Sequence, residues 1–230
     1  MKAEIKNQMT LADIEYNQRK KTTKKEEFLN SMDKIVPCKK WIEKIDQFYY
    51  HNKVGRKAKD IETMLRMYLM QIWFNLSDEG IEDAIYDSYF MREFSKINFF
   101  TEQAPDATTL LHFRRILEDN KIAKELFDEI TKILEKSGQI MKGGTIVDAT
   151  IISAPSSTKN KDNKRDEKMH STKKGGNWYF RMKMHTGVDA GSGYIHPIVG
   201  TAANIHNIVE TKNLLREDDE KCYEIVDIYQ

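Results

Sequence analysis

Three things are scarce in this sequence of 230 residues. Net charge is the first: 37 lysines and arginines face 36 aspartates and glutamates, which leaves +1. Global charge therefore does not mark a nucleic-acid binder, and any basic surface has to come from local segregation. Cysteine is the second. Cys38 and Cys222 are the only two, they make no metal-ligand spacing, and they suit a reducing cytosol. Long apolar runs are the third. No stretch approaches the roughly 20 residues that span a bilayer, and the N-terminus has no apolar signal core. A soluble, cytoplasmic chain with no membrane partner is expected. His185, His196 and His206 also lack metal-site spacing and read as structural.

What is present divides by period. The length allows one large domain or two small ones with a sizeable core. Residues 1–23 are polar and basic, with Arg19, Lys20, Lys21, Lys24 and Lys25 clustered. They read either as a solvated arm or as an arm on DNA phosphates. Residues 24–138 carry helical stripes: Phe28, Met32 and Ile35 up to Pro37; Trp41, Ile45 and Phe48; then a basic loop over 52–59. The longest stripe runs Ile61, Met64, Leu65, Tyr68, Leu69, Ile72 and Trp73. Ser77 or Asp78 caps the next helix, with Ile81, Ala84 and Ile85. Asp106 opens another, with Leu110, Phe113 and Leu117 on one face, and a last one carries Leu126, Ile130 and Ile133 and stops at Gly138. Three of these helices can form a helix-turn-helix-like unit, with Thr108, Thr109, His112, Arg114 and Arg115 facing a DNA groove.

After Ser137 the period becomes strand-like. Gly143-Gly144 opens a run of β-branched residues, Thr145, Ile146, Val147, Thr150, Ile151 and Ile152, that reads as a strand over 145–153 buried on both faces. Asp148 lies in its middle. A carboxylate there must meet backbone amides, other donors or a cation, so it is either an internally bonded aspartate or a metal ligand on a rigid strand. A polar insert follows over 155–177. Between Lys159 and Lys174 it has seven basic residues (Lys159, Lys161, Lys164, Arg165, Lys168, Lys173, Lys174) against Asp162, Asp166 and Glu167. The expected element is a flexible loop that clamps DNA. Strands over 178–189 and 194–202 flank the tight turn Gly191-Ser192-Gly193, in which Asp189 reads as a turn former. A helix over 206–215 and a strand over 222–228 complete the pattern.

The text Val147-Asp148-Ala149-Thr150-Ile151-Ile152-Ser153-Ala154-Pro155-Ser156-Ser157-Thr158-Lys159-Asn160 resembles the first catalytic block of bacterial insertion-sequence transposases of the DDE class, insertion sequence five group. The likeness extends over 61–66, 75–78, 105–109, Phe113-Arg114, 187–193 and 201–206, in the family's order. It implies an α+β chain. Residues 24–138 would be an all-helical, terminal-repeat-binding domain, and 139–230 the first half of an RNase H-like α/β domain with a mixed sheet. Double-stranded DNA is the implied partner, at the element's terminal repeats and at a target site, with a homo-oligomer in the intact protein and a nucleoid-associated location.

The resemblance also implies Mg2+ or Mn2+ held by carboxylates, with Asp148 matching the first of them. The second falls on a departure. Where the family has Tyr-Gly-Asp-Ser-Gly-Tyr, this chain reads Tyr223-Glu224-Ile225-Val226-Asp227-Ile228. A gapless match sets Ile225 at the aspartate; a shift brings in Asp227; a single-base deletion makes residues 224–230 an out-of-frame tail. The third, a glutamate in a later helix, has no counterpart. Asn207 stands where the family has aspartate after His206. The expectation is a truncated transposase inactive in cleavage and strand transfer, or a non-catalytic terminal-repeat binder that inhibits the full-length enzyme.

Overall fold

The computed structural model of the chain describes residues 14–16, 18–49, 57–152, 166–174 and 176–224. The chain divides into two compact units, 1–127 and 128–230. The division falls inside a helix, ahead of the change of period after Ser137.

The first unit is helical: α1 Lys24–Ile35, α2 Cys38–Asp46, α3 Ile61–Trp73, α4 Asp78–Asp87, α5 Tyr89–Phe94, α6 Ala107–Asp119 and the beginning of α7 Ile122–Lys136. Four of these start where a short polar side chain accepts an otherwise unpaired amide: Thr23 from Glu26, Asp60 from Thr63, Ser77 from Gly80 and Asp106 from Thr109. α3 is the centre. Its Met64, Leu65, Met67 and Met70 are fully buried, and α2, α4 and α6 pack around it with Trp41, Ile45, Ile81, Ile85, Leu110, Phe113 and Leu117. Arg66 is buried on this helix as well. It pairs with Asp33 and Glu62 and lies 4.8 Å over the Phe94 ring, so its charge is balanced where water is excluded.

Two expectations are corrected here. Phe28, Ile35, Phe48 and Ile72 are exposed, and the buried residue of α1 is Leu29. Phe28 meets Trp73 and Phe74 edge-on, at 5.5 and 5.9 Å, and leaves the rest of its ring to solvent. The helix is thus rotated so that one edge of its apolar arc, at Leu29, meets the core while Phe28 and Ile35 remain at the surface. The second correction is α5, a short helix between Ser88 and Ser95 that buries Met91 and Phe94.

Among the described residues, the second unit has five strands: β1 Thr145–Ile152, β2 His170–Lys174, β3 Asn177–Asp189, β4 Ile195–Ala202 and β5 Cys222–Glu224, with α8 Asn207–Leu214 between the last two. β3 pairs antiparallel with β1, β4 and β2, and β1 pairs parallel with β5, so the sheet is mixed. The strand expected to be buried on both faces is buried on one face only, and only at its start, because α8 covers a single side of the sheet. Thr145 and Val147 are buried, Asp148 and Ala149 half-buried, and Thr150 and Ile152 exposed. The described part of β5 pairs only with Thr145, Ile146 and Val147, and α8 covers one side of the sheet. The insert is also more ordered than a loop over 170–174, where β2 forms; residues 153–165 lie outside the described residues.

Gly187 shows how closely α8 approaches. A Cβ there would come within 2.7 Å of the Leu214 carbonyl oxygen and 2.8 Å of Pro197 Cγ, whereas one at Gly200 would meet nothing within 4 Å. Gly187→Ala should therefore destabilise the second unit by about 1–3 kcal/mol through overpacking. Gly200→Ala should stay within about 0.5 kcal/mol of the parent chain. Urea unfolding followed by circular dichroism measures both.

Candidate functional site

Asp148 sits mid-strand on β1 opposite Thr186 of β3. Side chains alternate along both strands, so Val147, His185, Gly187 and Asp189 share the side against which α8 packs. Asp148 and Thr186 share the other. On that side Met182, Met184, Thr186 and Val188 are only half-buried, and Ile152, Ile195 and Ile198 are 40–41% exposed. Asp148 is thus a half-buried carboxylate on the open side of a rigid sheet. Its Oδ1 accepts the following amide, Ala149 N, at 2.7 Å. Local amide bonding was one of the two readings, and this hydrogen bond is an instance of it.

The other named carboxylate, Asp227, lies outside the described residues. The last described residue of β5, Glu224, pairs with Val147 immediately before Asp148. Among the described residues, no group of three or more His, Cys, Asp or Glu side chains is placed to hold a metal ion.

The basic residues divide the same way. Lys159, Lys161 and Lys164 lie outside the described residues. Lys173 and Lys174 lie on β2, where Lys173 is exposed. On α6, Thr108, His112 and Arg115 are exposed and, at steps of four and three, share one helical face. Thr109 is half-buried, and its amide donates to the capping Asp106. Arg114 turns inward. Its two terminal nitrogens grip both oxygens of Asp78 at 2.7 and 2.8 Å, and one of them also reaches Gln71. The fork ties α6 to α3 and α4, an architectural role beside the groove-facing one expected.

Among the described residues of the second unit, the most heavily bonded group is Asp189, which the sequence marks as a turn former. It is fully buried and accepts five donors: the amides of Met141, Lys142 and Ser192, the Ser192 hydroxyl, and Arg216 Nη2 at 2.9 Å. Arg216 also grips Asp219, whose Oδ2 accepts the Thr145 hydroxyl. Because Thr145 donates to Asp219, the proton between Thr145 and His196, 2.9 Å away, must come from His196 Nε2. His185 follows the same logic. Thr201 donates to the Ala202 carbonyl, so His185 Nε2 donates to Thr201 and buried Nδ1 carries the lone pair. His206 caps α8 by accepting from Ile208 N. All three histidines are structural. Arg216 was missed because it stands in the charged run 216–221, which reads as solvated surface.

Residues 16–115 match the family described as Transposase domain (DUF772), and residues 140–227 match the one described as Transposase DDE domain. The two matched segments follow one another along the chain, each similar to a transposase domain. The second of these segments, which contains Asp148, is thus similar to the catalytic domain of DDE transposases. No solved structure matches it.

The buried cluster sets a pH dependence. Burial raises the Asp189 pKa, but the bonds from Arg216, Ser192 and the Met141 amide outweigh it and hold the carboxyl far below its ordinary range. Burial pushes His185 and His196 down, with Lys183 and Arg216 adding to the effect. All three shifts are depressions, so each contributes stability that is present at higher pH and lost as pH falls. Loss should begin below about pH 6.5 with the histidines and resume below about pH 4 with Asp189. Asp189→Asn should shrink the lower stage, leave the upper one, and cost about 3 kcal/mol at neutral pH by removing one of the two buried carboxylates that hold Arg216. Thermal unfolding between pH 3 and 8 tests this.

Proposed function

We propose that this chain is a transposase of the insertion sequence five group that binds the double-stranded ends of its element, with Asp148 as the first carboxylate of the catalytic set. The observation that carries the reading is the placement of Asp148: a half-buried carboxylate on the open side of β1, inside the segment matched by the DDE domain. The strand order supports an RNase H-like sheet. Three antiparallel strands, β4, β3 and β1, are followed by β5 parallel to β1. Lys173 and Lys174 on β2, with Lys159, Lys161 and Lys164 before it, are the phosphate-binding residues of this domain. The face of α6 with Thr108, His112 and Arg115, beside Thr109 and steadied by Arg114, serves the terminal repeat.

Two-metal phosphoryl transfer needs ligands on both ions. The described residues supply Asp148 alone, and one of its oxygens already accepts Ala149 N, so they do not by themselves fit a pair of Mg2+ or Mn2+ ions. From the departure at residues 224–228, where Ile225 stands at the position of the family's aspartate, we read this chain as a DNA binder without strand-transfer activity. A second reading is favoured by Ile225, which stands where a gapless match wants aspartate. It is a terminal-repeat binder that inhibits the intact enzyme, by occupying ends or by joining its oligomer.

The purified chain should bind duplexes drawn from the DNA flanking its gene and show no nicking with Mg2+ or Mn2+. Changing Lys173 and Lys174 together to Gln should flatten the salt dependence, by about 0.9 in log–log slope for each phosphate that is no longer neutralised. A chain that binds no such duplex contradicts the DNA-binding reading. Nicking that Asp148→Ala stops would contradict the inactivity and support the residue's role.

A further inference from the structure

The β2–β3 hairpin runs past the sheet. Residues 177–181 of β3 pair with β2, whereas 182–189 pair with β1 and β4. The turn at its end holds Gly176 at φ 85°, a conformation that suits glycine. Next to that turn Trp178 is 72% exposed, while the other two tryptophans are buried (Trp41) or half-buried (Trp73). Lys173 stands directly across from Trp178. On the hairpin's other side the Arg181 guanidinium lies 5.0 Å over the Tyr179 ring. From Lys168 to Met184 the sequence has four lysines and one arginine and no carboxylate. An indole 72% exposed near the tip of a hairpin whose stretch 168–184 carries cations and no carboxylate matches a polyanion with exposed aromatic faces.

We propose that Trp178 is a base-stacking residue, placing its indole against an unpaired or unstacked DNA base while Lys173 meets the neighbouring phosphate. Single-stranded binders combine the same two parts, a cationic track and an aromatic platform, and each has a separate signature: salt dependence for one, base stacking for the other. Alternation along β3 sets Trp178, Phe180, Met182, Met184 and Thr186 on the side that carries Asp148. The distance separates the roles. Eight residues from Trp178 to Thr186 span about 26 Å at roughly 3.3 Å each, the length of seven or eight duplex steps. Trp178 is therefore a positioning residue that grips DNA away from the reacting phosphate. This assignment rests on the transposase reading above and adds the kind of DNA the hairpin selects.

The test compares a 20-nucleotide single strand of mixed sequence with the duplex of the same sequence, using the full 230-residue chain. Trp178→Ala should weaken single-strand binding about ten-fold, as removal of one stacked base does, and duplex binding less than about two-fold. Trp178→Phe should restore most of the affinity. The single strand should also quench the indole emission that disappears in Trp178→Phe, a change that a merely structural residue would not produce. Equal losses on both probes, or none, without quenching would overturn the stacking role. If in that case Lys173→Gln still weakens both probes, the hairpin meets phosphate only and the transposase reading stands. A chain that binds neither probe overturns both.

Discussion

The second unit depends on one buried carboxylate. Asp189 collects the amides that precede β1, the turn that follows β3, and Arg216 from the segment after α8. A buried carboxylate without these donors would be costly, and Arg216 would be left with Asp219 as its remaining buried partner. The consequence of this bonding is register. With the ends of β1 and β3 fastened together, Thr145 faces Asp189 and every later pair follows, down to Asp148 beside Thr186. A slip by one residue would turn Asp148 toward α8 and the buried side of the sheet.

That register separates two environments on one sheet. The side under α8 is closed: Val147, His185 and Gly187 are buried, and Gly187 has no room for a methyl group. The opposite side is half-open, and it carries the catalytic candidate, the exposed Ile152, Ile195 and Ile198, and, further along β3, Trp178. The polar chemistry and the exposed aromatic thus lie on the side that remains accessible. The buried network and the candidate carboxylate thus lie on different faces of the same strands.

Much of this was legible in the residues. The β-branched run around Asp148 and the Gly-Ser-Gly turn located β1, β3 and β4. Ser77 and Asp106 marked helix starts because short polar side chains satisfy the first amides of a helix. β2 was not legible: His-Ser-Thr-Lys-Lys has no alternation of apolar and polar residues, and it forms because the turn folds it back on β3. α5 is too short to show a period. On α1, Phe28, Met32 and Ile35 made as good a stripe as any that includes Leu29, and only the packed neighbours chose between them. Arg216 and Asp219 looked like surface charge because nothing in a charged run reveals a partner at position 189. Asp148 was placed on its strand by pattern alone, and whether its open side meets DNA is a question about geometry that no pattern answers.

The direct measurement is of which side of the sheet DNA occupies. With Cys38 and Cys222 changed to serine, a tethered iron chelate that generates hydroxyl radicals can be attached at Asp148→Cys, or at Val209→Cys on exposed α8. Bound to an end-labelled duplex from the DNA flanking the gene, the label at 148 should cut the backbone within a few nucleotides of one position, and the label at 209 should be silent. Cutting from 209 with silence at 148 would place DNA on the α8 side and contradict the account.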